Sequence, residues 1–439
     1  MSSTESEPLV RLYDLATGDE DARVCKDIPD SACRHLPRNY FAHVGALVAT
    51  NAGDLLMNVK TVLSWIMAAL GAPSWMISML VPIRESLSLL PQLAVAGVMR
   101  LYARRKWFWV IGSVLQALAV LAMVPVVLTF DGALAGGLIL GLLVVFSLAR
   151  GICSVSLKDV QGKTVSKTRR GSVTGYAASA AGLLSLLVGG WLHFGADGAD
   201  ESLGVYALLL VLAGVLWLVG AVIYALVIEP EGATEGGASA LAEAWRSLGL
   251  LREDATLRHF LYTRTLLLST ALTAPFYVVV ARDLTDSRVG VLGLMIIATG
   301  LASLLSSAVW GRFSDRSSRL VMVAAAATAA VSGFAAFGYA ELAGAHSAFV
   351  FAALFFLLGV AHSGVRIGRK TYLVDMATQQ TRAAYVALSN TLIGIVLLVA
   401  SGVGLLSVLV GDSGIIAVLA VFSLLAAVVG WRLPEVQDD

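Results

Sequence analysis

The chain has 439 residues, of which 58% are hydrophobic and only 14% are charged, and its mean hydropathy is +0.81. Soluble domains carry roughly a quarter of charged residues, so this composition excludes an ordinary soluble globular protein and indicates an integral membrane protein. The net charge of +1 gives no reason to expect a polyanionic partner such as a nucleic acid.

The first 38 residues are polar and mixed in charge, without the pattern of a cleavable signal peptide. We expect a leader that is partly disordered and contains short helices. Its two cysteines, Cys25 and Cys33, are eight residues apart and do not match a zinc site in spacing or number. We therefore predict that these two thiols are reduced, as is Cys153 within a later apolar segment.

Twelve apolar segments follow the leader, and most are long enough to cross a bilayer, which takes about 20 residues. Unbroken runs of this length favour helices and not the alternating strands of a membrane barrel. The predicted fold is therefore all-α, with twelve transmembrane helices in two bundles of six. The segments, called spans 1 to 12 below, are roughly 41–68, 73–99, 107–129, 133–157, 172–194, 203–228, 258–281, 289–310, 318–340, 347–370, 383–409 and 413–431.

Charge in the loops predicts the orientation, because cytoplasmic loops of membrane proteins are rich in Lys and Arg. If the leader is cytoplasmic, the inward loops hold the clusters 100–106, 163–170, 312–319 and 369–382, and the outward loops are acidic apart from Arg282 and Arg288. Both termini are then expected in the cytoplasm, with the protein in the plasma (inner) membrane.

The longest connection lies between spans 6 and 7 and includes an amphipathic segment at 240–251. The two halves on either side of it share sequence features: Tyr176 in span 5 and Tyr385 in span 11 each follow a basic loop. Parallel six-helix repeats are typical of transporters that work by rocking two bundles. The predicted divisions are a leader at 1–38, bundles at 39–228 and 258–433, a central loop at 229–257 and a tail at 434–439.

One loop carries a sequence signature. The segment 311–319 reads Gly-Arg-Phe-Ser-Asp-Arg-Ser-Ser-Arg and resembles the Gly-x-x-x-Asp-Arg-x-x-Arg loop of the major facilitator superfamily, on Gly311, Asp315, Arg316 and Arg319. The resemblance implies twelve spans, alternating access, an Asp that caps a neighbouring helix and Args that pair across a cytoplasmic gate. In the first-half copy only Gly97 and Arg105 match, since Leu101 and Tyr102 stand at the positions of Asp315 and Arg316.

Two further family motifs are incomplete. Arg150 in span 4 resembles the arginine of a motif that accompanies proton coupling, but Ser154 occupies the place of its glycine. Span 5 lacks the Gly-Pro pattern of drug exporters. Both departures argue against a plain drug–proton antiporter.

A cluster of opposite charges lies near the middle of spans 1 and 2, which a very short link makes antiparallel neighbours. Asp54 is in span 1, and Arg84 and Glu85 are in span 2. Charges at this depth are costly and usually face protein or water, so they mark candidate functional sites. One interpretation is that Asp54 or Glu85 takes up and releases a proton. The other is a permanent ion pair between Asp54 and Arg84.

Two polar stripes accompany the cluster. Asn51, Asp54 and Asn58 have the spacing of one helical face in span 1, and the second stripe, in span 2, consists of Arg84, Ser88 and Gln92. We expect both stripes to line a cavity. Lys60 is positioned either to reach this cavity or to extend toward the bilayer surface.

Three arginines, one in each of spans 4, 7 and 10, lie about two turns inside the predicted cytoplasmic end: Arg150, Arg264 and Arg366. They either attract an anion, since guanidinium groups bind carboxylate and phosphate bidentately, or reach lipid headgroups.

These residues predict a secondary transporter for a small anionic or amphiphilic solute, acting as a monomer and driven by a gradient, with H⁺ as the expected coupling ion. No pattern for a catalytic group, a metal, a cofactor or a nucleotide occurs in the sequence, so an enzyme is not expected. The alternative is a non-transporting membrane sensor or assembly factor on the same fold. The sequence leaves import and export, H⁺ and Na⁺, and Asp54 and Glu85 as open alternatives.

Overall fold

The computed structural model describes residues 7–17, 28–195, 203–232, 234, 249–285, 289–378 and 381–437. In these ranges the ordered elements are all helices, and nine of them are long and apolar enough to cross a membrane. One of the nine, Ala384–Trp431, contains two spans that meet at Gly411, which has a positive φ of 74°. The predicted all-α fold of two six-helix bundles is confirmed.

The helices follow the predicted order. The leader and the first bundle contain α1 (Glu7–Thr17), α2 (Asp30–Cys33), α3 (Leu36–Leu56), α4 (Val62–Ala69), α5 (Ser74–Leu89), α6 (Gln92–Met99), α7 (Lys106–Thr129), α8 (Gly132–Thr164), α9 (Lys167–Gly190) with a π-helical turn at Trp191–Gly195, and α10 (Leu203–Ala225). The second bundle contains α11 (Leu250–Glu253), α12 (Ala255–Leu266), α13 (Ser269–Leu272), α14 (Ala274–Leu284), α15 (Val289–Ser314), α16 (Ser318–Leu342), α17 (Ala348–Asp375), α18 (Arg382–Ala400) with a 3₁₀ turn at Ser401–Leu406, and α19 (Ser407–Trp431).

The first span of each bundle is broken near its middle. Span 1 consists of α3 and α4, and the break at 57–61 includes Asn58, whose side-chain oxygen accepts the backbone N–H of Lys60 at 2.8 Å. Such local side-chain bonds compete with helical hydrogen bonding. Span 7 consists of α12, α13 and α14, with Pro275 just after the second break. A proline cannot donate a backbone hydrogen bond and disfavours helix before it. Broken helices at mid-depth are typical of transporter binding sites.

The apolar cores show how the two bundles meet. We call the side with α1 and the basic loops the basic face. Near the opposite face, one core contains residues of both bundles, among them Trp65, Leu80, Phe276 and Leu397. Toward the basic face each bundle has cores of its own. At the opposite face α5 packs on α18 and the 3₁₀ turn, α4 on α14, and α9 on α15. The bundles are therefore closed together at the opposite face.

The two tyrosines that the sequence pairs have comparable contacts. Tyr176 donates from its hydroxyl to the backbone oxygen of Ala16 in α1 at 2.8 Å, and Tyr385 donates to Asp254 Oδ2 at 2.6 Å. Each ties the segment that precedes its bundle to span 5 or span 11. Burial raises the pKa of Asp254, but hydrogen bonds from Tyr385 and from the Leu257 backbone lower it, and the resulting pKa lies below the usual aspartate value.

The prediction of reduced thiols is wrong for Cys33, which is disulfide-bonded, whereas Cys153 is free and buried. The prediction came from the absence of metal-site spacing, which does not fix a distance between two sulfur atoms. Cys25 and most of the amphipathic segment 240–251 lie outside the described residues.

Candidate substrate cavity and charge clusters

A cavity of about 350 Å³ lies between the bundles, beside the breaks in spans 1 and 7. Its charged and polar lining residues are Lys60 and Glu85 from the first bundle and Arg264, Thr270, His362, Arg366, Arg369, Lys370 and Asn390 from the second. A recess of about 440 Å³ shares Leu89 and Asn390 with the cavity and contains Gln92, Lys158 and Asp159 at the ends of spans near the basic face. The cavity thus adjoins a recess on the side where the bundles have separate cores.

Asp54 is held by two guanidinium groups. Its Oδ1 lies 3.0 Å from Arg84 Nη2, and its Oδ2 lies 2.6 Å from Arg150 Nη2. The Arg84 guanidinium also lies over the ring of Phe146, 5.2 Å from the centroid. The ion pair of Asp54 with Arg84, one of the two alternatives from the sequence, is therefore present, and Arg150 joins it from span 4. This cluster connects spans 1, 2 and 4 within the first bundle.

Glu85, next to Arg84 in sequence, faces the cavity and not this cluster. Among the described residues it forms no ion pair within 4 Å. Arg84 and Arg150 both bind Asp54, so neither guanidinium group is paired with Glu85.

Lys60 reaches the cavity and connects the two bundles. Its Nζ lies 2.8 Å from Nε2 of His362 in span 10, and His362 Nδ1 lies 3.3 Å from Thr270 Oγ1 in the broken part of span 7. The chain of three side chains therefore joins the breaks of spans 1 and 7 through span 10. Of the two positions expected for Lys60, the one inside the cavity is observed.

The second bundle supplies most of the positive charge. Arg264 is only 5% exposed; it donates to Ser389 Oγ and, at 3.1 Å, to Asn390 Oδ1, while its Nε has no partner among the described residues. Arg366 lines the cavity, and so does Arg369 one turn further along α17. Arg369 was assigned to a basic loop from the sequence, because it follows the apolar run of span 10.

The remaining cavity candidates are distributed over several places. Asn51 lies in a pocket of about 110 Å³ inside the first bundle, together with Arg150, Gln116 and Cys153. Asn58 borders a pocket of about 170 Å³ next to Lys60 and His362. The prediction that Asn51, Asp54 and Asn58 share one helical face is wrong for Asn58, because α3 ends at Leu56.

The three residues of the polar stripe in span 2, Arg84, Ser88 and Gln92, also lie in different surroundings. Ser88 is buried and donates to the backbone oxygen of Glu85 at 2.9 Å, and Gln92 donates to the backbone oxygen of Ser88 at 2.8 Å. Gln92 borders the recess at the basic face. Arg84 is directed to Asp54, so the three residues do not line one surface.

The loop signature lies between α15 and α16. Gly311 is in the last turn of α15, and Asp315 and Arg316 are exposed in the following turn, where neither forms an ion pair with another described residue. Ser317, and not Asp315, caps α16 by accepting the Leu320 N–H at 3.1 Å. Arg319 lies 3.4 Å from Glu435 in the tail, within its own bundle. The cross-gate pairing that the family resemblance implies is not formed in this conformation by the described residues.

A charge network occupies the corresponding place in the first bundle. Glu229, whose side chain is fully buried, accepts the backbone N–H groups of Arg105 and Lys106 at 3.0 and 2.7 Å and thereby caps α7. Asp159 binds Arg105 at 2.5 Å and Lys163 at 2.7 Å. In this bundle Glu229 and Asp159 therefore supply the acidic partners of the basic loop, where Leu101 stands at the position of Asp315.

The sequence contains a repeat that would have revealed this network. Arg150 and Asp159 in span 4 are nine residues apart, and so are Arg366 and Asp375 in span 10. Asp375 accepts from Gln437 of the tail at 2.6 Å, on the same side as Glu435. Each bundle thus has an acidic residue at the same place in span 4 or 10, but Asp159 forms ion pairs and Asp375 accepts a hydrogen bond from an amide.

Two six-helix bundles with a broken first span in each and a charged cavity between them define a multi-pass membrane protein with the architecture of major facilitator superfamily transporters. Residues 265–438 match the family model described as Major Facilitator Superfamily. The resemblance stated from the sequence is confirmed.

Solved structures with this fold include transporters for different solutes. The inward-open xylose transporter XylE from E. coli has a TM-score of 0.65 at 12% identity, covering 91% of this chain and 96% of that one. A POT family transporter in complex with 5-aminolevulinic acid has a TM-score of 0.69 at 11% identity, covering 89% and 95%. The nucleoside transporter NupG has a TM-score of 0.65 at 12% identity, covering 90% and 99%. These identities show a shared fold. No curated protein matches this chain in sequence.

Proposed function

We propose that this protein is a secondary active transporter that moves a small anionic solute by alternating access and couples the movement to protons. The observation that carries the proposal is the cationic cavity between the bundles, which a shared apolar core separates from the opposite face. Related folds carry sugars, peptides and nucleosides, so the fold leaves the solute open. The charge of the cavity lining is the reason for an anion, in preference to the amphiphilic solute that the sequence also allowed.

Glu85 is the proposed proton carrier. Protonating Asp54 would leave Arg84 and Arg150 without their shared counter-charge in a poorly hydrated place. Protonating Glu85 breaks no ion pair and changes the charge of the cavity directly. The proposal places coupling at Glu85 and gives Asp54 the task of holding spans 1, 2 and 4 together.

We propose that the basic face lies in the cytoplasm, an orientation that the loop charges support, and that the protein is a monomer in the plasma membrane. In this orientation the cavity adjoins the cytoplasmic recess, and the contacts at the opposite face form the closed extracellular gate. Access from outside then requires that the bundles separate at that gate and approach each other at the basic face.

The proposal is tested by flux measurements in proteoliposomes that contain the purified full-length protein. An inward-acid and an inward-alkaline pH gradient are imposed in turn on a panel of radiolabelled organic anions and neutral analogues. We expect that one gradient direction accumulates at least one anion above its equilibrium level and that the protonophore-treated control does not. Equal distributions under both gradients for the whole panel would refute proton-coupled anion transport.

The alternative function, a non-transporting sensor or assembly factor, gains support from the satisfied contacts of Asp54 and Lys60. Such a protein needs no alternation between two open states. The two functions therefore differ in whether the gate at the opposite face has to open.

A cysteine pair at this gate separates the two functions. Ser74 Oγ donates to Asp412 Oδ2 at 2.8 Å, connecting the link between spans 1 and 2 with the link between spans 11 and 12. We expect the double variant Ser74→Cys/Asp412→Cys to form a disulfide on oxidation, and this disulfide to stop solute flux until dithiothreitol is added. The single-cysteine variants serve as controls for oxidation elsewhere. Undiminished flux in the fully cross-linked protein would contradict alternating access through this gate.

A further inference from the structure

Positive charge is neutralised in most of the clusters described above, but not in the central cavity. Asp54 neutralises charge on Arg84 and Arg150, Asp159 pairs with Arg105 and Lys163, and Glu435 pairs with Arg319. The cavity contains five cationic side chains and the single carboxylate of Glu85: the cations are Lys60, Arg264, Arg366, Arg369 and Lys370. None of these five forms an ion pair with another residue that the structure describes.

The less exposed members of this set fix the charge that a ligand has to supply. Arg366 and Lys370 are exposed near the mouth, whereas Arg264 is buried and Lys60 and Arg369 are partly buried. These three cations leave two positive charges in the inner part of the cavity when Glu85 is ionised, and three when it is protonated. Uncompensated charge that is removed from water is costly, and a ligand with two negative charges removes most of that cost in either state.

We propose that the transported solute is a small dianion, either a phosphate monoester or a dicarboxylate. This inference rests on the proposed transport function and narrows its substrate class. Both anions present oxygen pairs that match the fork of a guanidinium group. The donors of Arg369 make no hydrogen bond to a described residue, and Arg264 Nε is buried without a partner. The cavity of about 350 Å³ suits a solute of metabolite size.

Glu85 links the dianion to the proton. An ionised Glu85 repels an anion in the same cavity, and a protonated Glu85 does not, so anion binding and Glu85 protonation favour each other. The two ligands are then carried together, in the same direction. A proton and a dianion that bind the same conformation constitute symport.

Matched probes test the charge of the ligand. Succinate and butyrate share a four-carbon chain and differ by one carboxylate, and methyl phosphate and dimethyl phosphate differ by one ionisable oxygen. Binding to the purified full-length protein is measured by isothermal titration calorimetry at pH 7.5, and uptake is measured in proteoliposomes. We expect at least one dianion to bind about tenfold or more tightly than its monoanionic partner, because it completes a further charge-assisted contact. The pair that shows the preference distinguishes phosphate from dicarboxylate.

Variants connect the preference to the cavity. Arg369→Gln is expected to reduce the preference to a few-fold, Arg369→Lys to retain part of it, and Arg432→Gln, which changes an exposed arginine at the end of α19, to leave it unchanged. Monoanions that bind and move as well as their dianionic partners would overturn the dianion inference while leaving an anion transporter in place. Dianion binding without flux would support a dianion site in the cavity but would refute transport, and the dianion would then be a bound ligand and not a transported solute. The absence of dianion binding in a protein that accumulates another solute would overturn the inference alone.

Discussion

Glu85→Gln is expected to abolish proton-driven accumulation of the solute while leaving its exchange across the membrane intact. The amide has nearly the shape of the protonated carboxyl group. Side chain 85 therefore stays uncharged in this variant, and the cavity can still bind an anion. The variant cannot take up a proton with the solute and release it on the other side of the membrane, so a pH gradient no longer drives accumulation. A pH gradient of one unit coupled to one proton supports at most about tenfold accumulation, and we expect the ratio for Glu85→Gln to be close to one.

The measurement compares two assays on the same proteoliposomes. Net uptake is followed under a pH gradient with the membrane potential clamped at zero, and counterflow is followed with solute on both sides and no gradient. Glu253→Gln, an exposed carboxylate in α11, is the matched control and should accumulate solute as the unmodified protein does. Normal accumulation by Glu85→Gln would show that the coupling proton is carried elsewhere, and its simultaneous loss in Asp54→Asn would identify Asp54 as the carrier.

The sequence was sufficient for the parts of this fold that depend on composition and periodicity. Long apolar segments predict the spans, and the central loop marks the boundary between two bundles. Asp54 and Arg84 were paired because a short link forces spans 1 and 2 to be neighbours. Each of these inferences needs only local pattern or sequence proximity.

What the sequence could not supply depends on contacts between distant segments or on small local energies. The break in span 1 follows from one hydrogen bond of Asn58 in an otherwise apolar run. Arg150 reaches Asp54 across the bundle, 96 positions further along the chain. In the sequence Arg369 looks like a cation of a basic loop, but in the structure it belongs to the long helix α17 and lines the cavity. For Arg150 and Arg369 the deciding neighbours are near in space and remote in sequence, and for Asn58 the deciding energy is that of a single local contact.

The free energy of unfolding is expected to fall by about 2 kcal/mol or more in Asp54→Ala, because removing one partner of a partly buried ion pair leaves the other charge uncompensated. Here two charges are left, since Arg84 and Arg150 both bind this carboxylate, and the three side chains are only 15%, 28% and 23% exposed for Arg84, Arg150 and Asp54, respectively. The unfolding free energy is measured by titration with sodium dodecyl sulfate in mixed micelles. Glu253→Ala, which removes an exposed carboxylate, should change it by less than about 0.5 kcal/mol.

A second substitution shows whether charge or packing is responsible. In Asp54→Ala/Arg150→Ala the repulsion between the two guanidinium groups is gone, and Arg84 retains its contact with the ring of Phe146. The double variant should therefore be more stable than Asp54→Ala alone, with a coupling energy of at least about 1 kcal/mol in the double-mutant cycle. Additive effects of the two substitutions would contradict an ionic cluster and would reduce Asp54 to a residue that only fills space. Recovery of flux together with stability would support a structural task for Asp54, because Glu85 is unchanged in the double variant. Recovery of stability without flux would show that Asp54 or Arg150 also acts in transport.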